Sequence, residues 1–225
     1  MSAAEAWVRQ RLGYGFNDPG LLQLALTHRS ASGLNNERLE FLGDAVLGLV
    51  IAKALYERRP DAAEGLMSRL RARLVRGETL AELSREIGIR DYLRLGSGEL
   101  RSGGFQRAST LANAFEALLG AIYLDGGLPS AERVVLSVYA NRLADLPADD
   151  ELADPKTRLQ EWLQARGLRP PVYAVTTVAG AAHAQVFEVT CLIDELGRIF
   201  GGHGASRRLA EQDAAERALT ELHHD

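Results

Sequence analysis

The 225-residue chain has one cysteine, Cys191, so no intramolecular disulfide framework holds it together. It has no long apolar run, and nothing approaches the ~18 consecutive apolar residues that a membrane span needs. The opening segment, Met1 to Phe16, lacks a basic end followed by an apolar stretch, so no secretory signal is expected. An excess of positive charge is missing too. A formal net charge of −4 and a pI of about 5.8 argue against bulk attraction to a polyanion and confine any such binding to a local patch. The acidic surplus leaves carboxylates available to gather around metal ions. A soluble, cytoplasmic protein with no membrane partner is the simplest expectation. Hydrophobic residues make up 46%, enough for one large core or two ordinary ones.

The first two-thirds of the chain read as helix after helix. In Asn36 to Arg58, the apolar residues Leu39, Leu42, Val46, Leu49 and Val50 recur at spacings of three and four. Met67 to Ile87, Leu111 to Leu124 and Pro129 to Leu143 have the same period. From Asp145 to Pro155 the chain turns acidic, carries two prolines and loses its helical period, as a linker does. Beyond it a short helix from Pro155 to Arg166 precedes β-rich runs at Val172 to Val178, Gln185 to Ile193 and Arg198 to His203. A last helix spans Ser206 to Leu222. The expected organisation is an all-α domain over residues 1–146, a linker over 147–154, and a small α+β domain over 155–225.

The segment from Asn36 to Val46 carries the most chemistry. On a helix, Glu37, Glu40 and Asp44 lie at offsets of three and four and share one face. Like charges at that spacing destabilise an isolated helix, and Gly43 and Gly48 each cost about 1 kcal/mol relative to alanine. Such a helix is tolerated if something closely packed or cationic stands opposite. Mg²⁺ suits the second case, as a hard cation taking carboxylate, water and phosphate oxygens. Asn113 and Glu116 form a matching pair on the helix from Leu111, and Glu64 opens another helix. Carboxylates on facing helices are one way to build a metal centre inside a bundle. The same spacing also describes an ordinary solvated face, and spacing alone does not separate the two.

The run Asn36-Glu-Arg-Leu-Glu-Phe-Leu-Gly-Asp-Ala-Val-Leu47 resembles the signature of the ribonuclease III family. Leu26-Thr-His-Arg-Ser30 before it resembles the family pattern as well. Further matches follow in order at Glu64-Gly-Leu-Met-Ser-Arg69, Leu74-Val-Arg-Gly77, Ser97-Gly-Glu99, Ser102-Gly-Gly104 and Phe115 to Asp125. The resemblance implies an all-α nuclease domain followed by a double-stranded-RNA-binding domain of helix, three antiparallel strands and helix. It implies a homodimeric endonuclease that cuts double-stranded RNA with Mg²⁺ (Mn²⁺ able to substitute) and no organic cofactor. Products would carry 5′-phosphate and 3′-hydroxyl ends with a short 3′ overhang. Ribosomal RNA precursors and structured messenger RNA are the implied substrates.

Residue by residue, the resemblance puts metal ligation on Glu40, Asp44 and Glu116, with Asn113 in the fourth place. Glu37 and Glu64 match acidic positions that border the same cleft and help orient RNA and water. Phe41 matches an aromatic that packs into the partner subunit, although its apolar neighbours also suit a core phenylalanine. Position 113 departs from the family, which has aspartate there: an amide oxygen can ligate Mg²⁺ but adds no charge. In the C-terminal domain, Thr157, Gln160, Glu161 and Gln164 form one polar helix face suited to the RNA minor groove and its 2′-hydroxyls. His183 falls at the tip of a loop for a second minor groove. Ser206, Arg207 and Arg208 open the last helix, where basic residues and the helix N-terminus favour phosphate. From Ala148 onward eight basic residues face thirteen acidic ones, so affinity rests on local geometry and falls with salt. Two rivals stay open here. One is a double-stranded-RNA-binding regulator whose centre is silenced by Asn113, and the other is a helical metal enzyme for small phosphates.

Overall fold

Two helices form the axis of the N-terminal part of the molecule: α3 (Glu37–Arg58) and α7 (Ala108–Val138) pack along each other more extensively than any other pair of elements. The computed structural model describes residues 1–147, 154–180 and 185–223. It divides into two units, Met1–Leu146 and Pro147–Asp225.

In the first unit, α1 (Ala3–Leu12) starts on a Ser2–Glu5 capping box, and α2 (Pro19–Ala25) starts on an Asp18 cap with proline in its first turn. The helical period from Met67 to Ile87 resolves into two helices, α4 (Glu64–Leu74) and α5 (Gly77–Ile87). Arg76 is extended, at φ −69° and ψ 149°, which ends the helix while leaving the apolar period in phase across the break. Leu66, Leu70 and Leu74 on one side and Leu80, Leu83 and Ile87 on the other are all buried. A short α6 (Ser97–Arg101) leads to α7, and α8 (Ala140–Ala144) ends the unit. The helix expected at Leu111 to Leu124 lies within α7, Gly127 with a φ of 71° breaks α7 just before Pro129, and the helix expected at Pro129 to Leu143 divides at Tyr139 between α7 and α8.

The crossing of α3 and α7 depends on two missing side chains. A Cβ on Gly43 would stand 1.7 Å from the Glu116 carbonyl oxygen, and one on Gly120 would stand 2.2 Å from that of Leu39. The glycines therefore let two backbones touch, at a place where side chains would hold the axes roughly 8–10 Å apart. This is the close packing opposite Gly43 that its position in an acidic helix called for. Gly48, five residues on, meets nothing within 4 Å.

The second unit runs α9 (Pro155–Gln164), β1 (Val172–Ala179), β2 (Val186–Ile193), β3 (Arg198–Gly204) and α10 (Arg207–His223). The strands lie in the order β1-β2-β3, antiparallel throughout, with a bulge between Val175 and Thr177. Side chains alternate along β2: Val189, Cys191 and Ile193 are buried beneath the helices while Glu188 faces outward. Leu159 and Leu163 of α9 and Ala214, Ala215, Ala218 and Leu219 of α10 close this core. His183 and residues 148–153 lie outside the described residues.

Gly43→Ala is expected to destabilise the protein by about 3 kcal/mol or more through overpacking against the α7 backbone. Gly48→Ala is expected to stay within about 1 kcal/mol of the parent. Urea denaturation of both variants checks the contrast.

Candidate active site

The glycine contact fixes what stands on either side of it. Glu40 and Asp44 flank Gly43 by three residues and one, and Glu116 supplies the very carbonyl that Gly43 touches. The two acids of α3 thereby face Asn113 and Glu116 of α7 across one cavity of about 540 Å³. Glu37, Phe41, His28, Arg29 and Asn36 complete its rim on the α3 side, and Ser109 and Thr110 on the α7 side.

Charge in this cavity is not balanced. Burial, and then the neighbouring Asp44 and Glu40 carboxylates, push Glu116 up to about 7. Burial likewise raises Glu40, with Glu37 and Asp44 adding to it, whereas a hydrogen bond from Asn113 and the charge of Arg29 hold it down. Among the described residues, no three His, Cys, Asp or Glu side chains are drawn into a ready ligand cluster. Carboxylates that repel one another line an open cleft instead of closing on a point. Between the two helices the candidate donors Glu40, Asp44, Asn113 and Glu116 are all oxygens, three carboxylates and one amide, a set that fits a hard divalent cation better than a soft one.

Of the residues singled out from sequence, Glu37, Glu40, Asp44, Asn113 and Glu116 meet here and Glu64 does not. Glu64 opens α4 and accepts from Ser68 Oγ at 2.6 Å. It lines a shallow pocket with Tyr56, Met67 and Arg71, beside the far end of α3. Tyr56 is twelve residues from Asp44, about 18 Å along the helix, which is why Glu64 stays out of the cavity of its own chain. Phe41 is 82% exposed and so is no core residue. It borders an apolar groove of about 910 Å³ lined by Leu21, Leu24, Leu34, Leu42 and Leu124. On the same helix Leu49 and Tyr56 are exposed as well. Sequence reasoning does not reach Arg29 as a cleft residue. Its signal is positional: the loop from His28 to Asn36 is short and turns back onto the acidic helix, where Arg29 pairs with Glu37 at 3.4 Å.

In the second unit Thr157, Gln160, Glu161 and Gln164 are all exposed on one face of α9, opposite the buried Leu159 and Leu163. Ser206 Oγ accepts from Leu209 N–H at 3.3 Å and caps α10. Arg207 pairs with Glu211 at 2.8 Å and Arg208 with Asp154 at 3.6 Å, both guanidinium groups remaining exposed. Cys191 is fully buried.

A helical bundle presenting an acid-lined cleft, joined to a small α-β-β-β-α module with one exposed polar helix face, defines a class of nucleic-acid-cleaving proteins. Comparison with known proteins specifies it. Residues 18–143 match the family model described as Ribonuclease-III-like, and residues 155–222 match the double-stranded RNA binding motif. The chain is 54% identical over 222 residues to Ribonuclease 3 of Pseudomonas fluorescens, covering 99% of this chain and 97% of that one. It is 56% identical over 221 residues to Ribonuclease 3 of Vibrio vulnificus, covering 98% of each. Among solved structures, the nuclease domain of ribonuclease III from Campylobacter jejuni matches with a TM-score of 0.61 and 37% identity, over 66% of this chain and all of that one. The chain belongs to the ribonuclease III family. It is a double-stranded-RNA-specific endoribonuclease, and metal-dependent as that family is.

A carboxyl with a higher pKa in the fold than in the unfolded chain binds its proton more tightly when folded. The metal-free protein therefore loses stability as pH rises from the ordinary value of 4.5 to about 7. Glu116→Gln removes that loss. In EDTA the variant is expected to be about 1–2 kcal/mol more stable than the parent at pH 8, and equal to it at pH 4. Equal urea midpoints at pH 8 would contradict an uncompensated charge in the cleft.

Proposed function

We propose that the cleft between α3 and α7 holds Mg²⁺ on Glu40, Asp44 and Glu116, with the Asn113 amide oxygen as a neutral fourth donor, and cuts one strand of duplex RNA there. The observation that carries this reading is the convergence of four oxygen donors on one cavity in which burial, and then the Asp44 and Glu40 carboxylates, push Glu116 up to about 7. When bound, Mg²⁺ supplies Lewis-acid activation of water and of the scissile phosphate, with Mn²⁺ able to take its place. The three carboxylates hold the cation and keep its charge beside the RNA backbone. Glu37, at the rim, orients water and the incoming strand. No protein nucleophile is needed for in-line hydrolysis, so the products carry 5′-phosphate and 3′-hydroxyl ends.

Two such centres act on one duplex in a homodimer. The stripe Phe41, Leu49 and Tyr56 along α3 is exposed and apolar, as a self-complementary two-fold interface requires. If the two copies of α3 pair antiparallel, the Tyr56 end of one meets the Phe41 end of the other. Glu64, beside Tyr56, then serves the partner's cleft, which gives it the cleft-bordering role that its own chain denies it. The nuclease domain of Campylobacter jejuni ribonuclease III has a region described as involved in dimer formation, which supports the reading. Offset between the two centres leaves a short 3′ overhang. The C-terminal module reads the duplex through Thr157, Gln160, Glu161 and Gln164 and through His183, with Ser206, Arg207 and Arg208 on phosphate. Ribosomal RNA precursors and structured messenger RNA in the cytoplasm are the proposed substrates. No helix among the described residues is long and apolar enough to cross a membrane. The silent-regulator alternative rests on Asn113 alone.

The test is a Mg²⁺ titration of cleavage on an end-labelled RNA duplex. Paired staggered cuts are expected from the parent and none from Glu116→Gln. Asn113→Asp is expected to lower the Mg²⁺ requirement by about 3- to 10-fold, the effect of one more ligand charge. Duplex binding without cutting by the parent, rescued only by Asn113→Asp, would instead mean a binder with a disabled centre.

A further inference from the structure

The cleft poses a problem that its metal ligands do not solve. An RNA strand brings phosphates into a cavity bordered by Glu37, Glu40, Asp44 and Glu116. Among the described residues lining that cavity, Arg29 is the one with a fixed positive charge. Its guanidinium and the Glu37 carboxylate meet at 3.4 Å with side chains 70% and 54% exposed. Exposed pairs of this kind are weak and screened by salt, so the guanidinium is free to exchange partners.

The backbone that carries Arg29 is, by contrast, tied down on both sides. His28 N–H donates to the Arg94 carbonyl at 3.0 Å, Arg94 N–H donates to that of Leu26 at 2.8 Å, and Asn36 N–H donates to that of Thr27 at 2.9 Å. Asn36 is itself buried and donates its side-chain amide to the Ala25 carbonyl. Ser30 Oγ accepts from Gly96 N–H at 2.9 Å. Ser30 N–H and Ser30 Oγ stand 3.2 and 2.8 Å from His28 Nδ1, and the tautomer in which Nδ1 accepts from both leaves Nε2–H as the donor of a cavity-lining imidazole. A mobile cation on a fixed stem, beside a ring with one spare donor, is suited to receiving an anion at a defined place. The fork of the guanidinium matches two phosphate oxygens.

We propose that Arg29 is the phosphate-holding residue of the cleft. Its guanidinium is stored on Glu37 in the free protein and passes to a non-bridging oxygen of the RNA backbone as the strand enters, with His28 Nε2–H donating alongside. The exchange releases Glu37 to the water and RNA at the rim. This inference rests on the nuclease reading above and adds a residue to it.

The experiment compares the full-length parent with Arg29→Ala, Arg29→Lys and Glu37→Gln on an RNA duplex. Binding is measured with Ca²⁺ in place of Mg²⁺, and single-turnover cleavage is measured with Mg²⁺. Arg29→Ala is expected to weaken binding by about 3- to 10-fold and slow cleavage by about 10-fold or more. The slope of log affinity against log salt should fall by about 0.7–0.9 for each phosphate that the variant no longer neutralises. Arg29→Lys should restore the slope without the full affinity, and Glu37→Gln should tighten binding by freeing the guanidinium. A duplex with one neutral methylphosphonate at the scissile linkage should cost the parent more affinity than it costs Arg29→Ala, which keeps only the cation on that phosphate. An unchanged salt slope in Arg29→Ala, with the methylphosphonate costing both proteins equally, would overturn the proposal. A parent that fails to cut at all would overturn the nuclease reading instead.

Discussion

The backbone contact between α3 and α7 at Gly43 and Gly120 is the constraint on which the rest of the site depends. It brings two helices nearer than side chains would allow, at the level where Glu40 and Asp44 face Asn113 and Glu116. Because Glu40 and Asp44 bracket Gly43, and Gly43 rests on the Glu116 carbonyl, the acids have no freedom to spread along the bundle. Gly43, which costs helix propensity in α3, is together with Gly120 what permits the cavity. Local stability is given up for a fixed distance between two charged faces, as is common where function is built into a rigid scaffold.

The electrostatic consequence follows from that geometry. Three carboxylates held near one another in a half-buried cleft cannot all ionise without cost, and Glu116, the most enclosed, bears most of it. On the proposed reading a divalent cation turns this cost into affinity, since the charge destabilising the metal-free fold is the charge that would bind it. Asn113 moderates both sides. As an amide it spares the cleft a fourth negative charge and donates a hydrogen bond to Glu40, and for the same reason it offers the cation less. The acidic balance of the chain, which at first argues against a polyanion ligand, is thus partly the signature of the metal centre. On the proposed reading, RNA contact is left to a few placed groups: the polar face of α9, the arginines opening α10, and Arg29 at the cleft.

Much of this is legible in the sequence, and the rest is hidden for identifiable reasons. Helical period reveals that Glu37, Glu40 and Asp44 share a face, and that Asn113 and Glu116 share another, because offsets of three and four need only local geometry. That the two faces meet is a tertiary fact, hinted at only by a glycine where alanine would be cheaper. Family resemblance supplied the pairing that periodicity could not. The break at Arg76 is invisible to periodicity because α4 and α5 keep their leucines in phase across it. Glu64 looks like a member of the acidic set on chemistry alone, and only helix rise puts it beside Tyr56, far from Asp44. Arg29 escapes notice because its role depends on a loop that returns to α3. The alternation of β2, by contrast, reads directly as buried Val189, Cys191 and Ile193, since a strand's two faces are fixed by its period.

The measurement that bears most directly on the metal centre is an anomalous difference map from crystals of the protein soaked with Mn²⁺. A strong peak is expected between α3 and α7, within coordination distance of the Glu40, Asp44 and Glu116 carboxylates. An empty cleft at Mn²⁺ concentrations that support cleavage, or a peak held by residues elsewhere in the molecule, would contradict a metal centre built on these two helices.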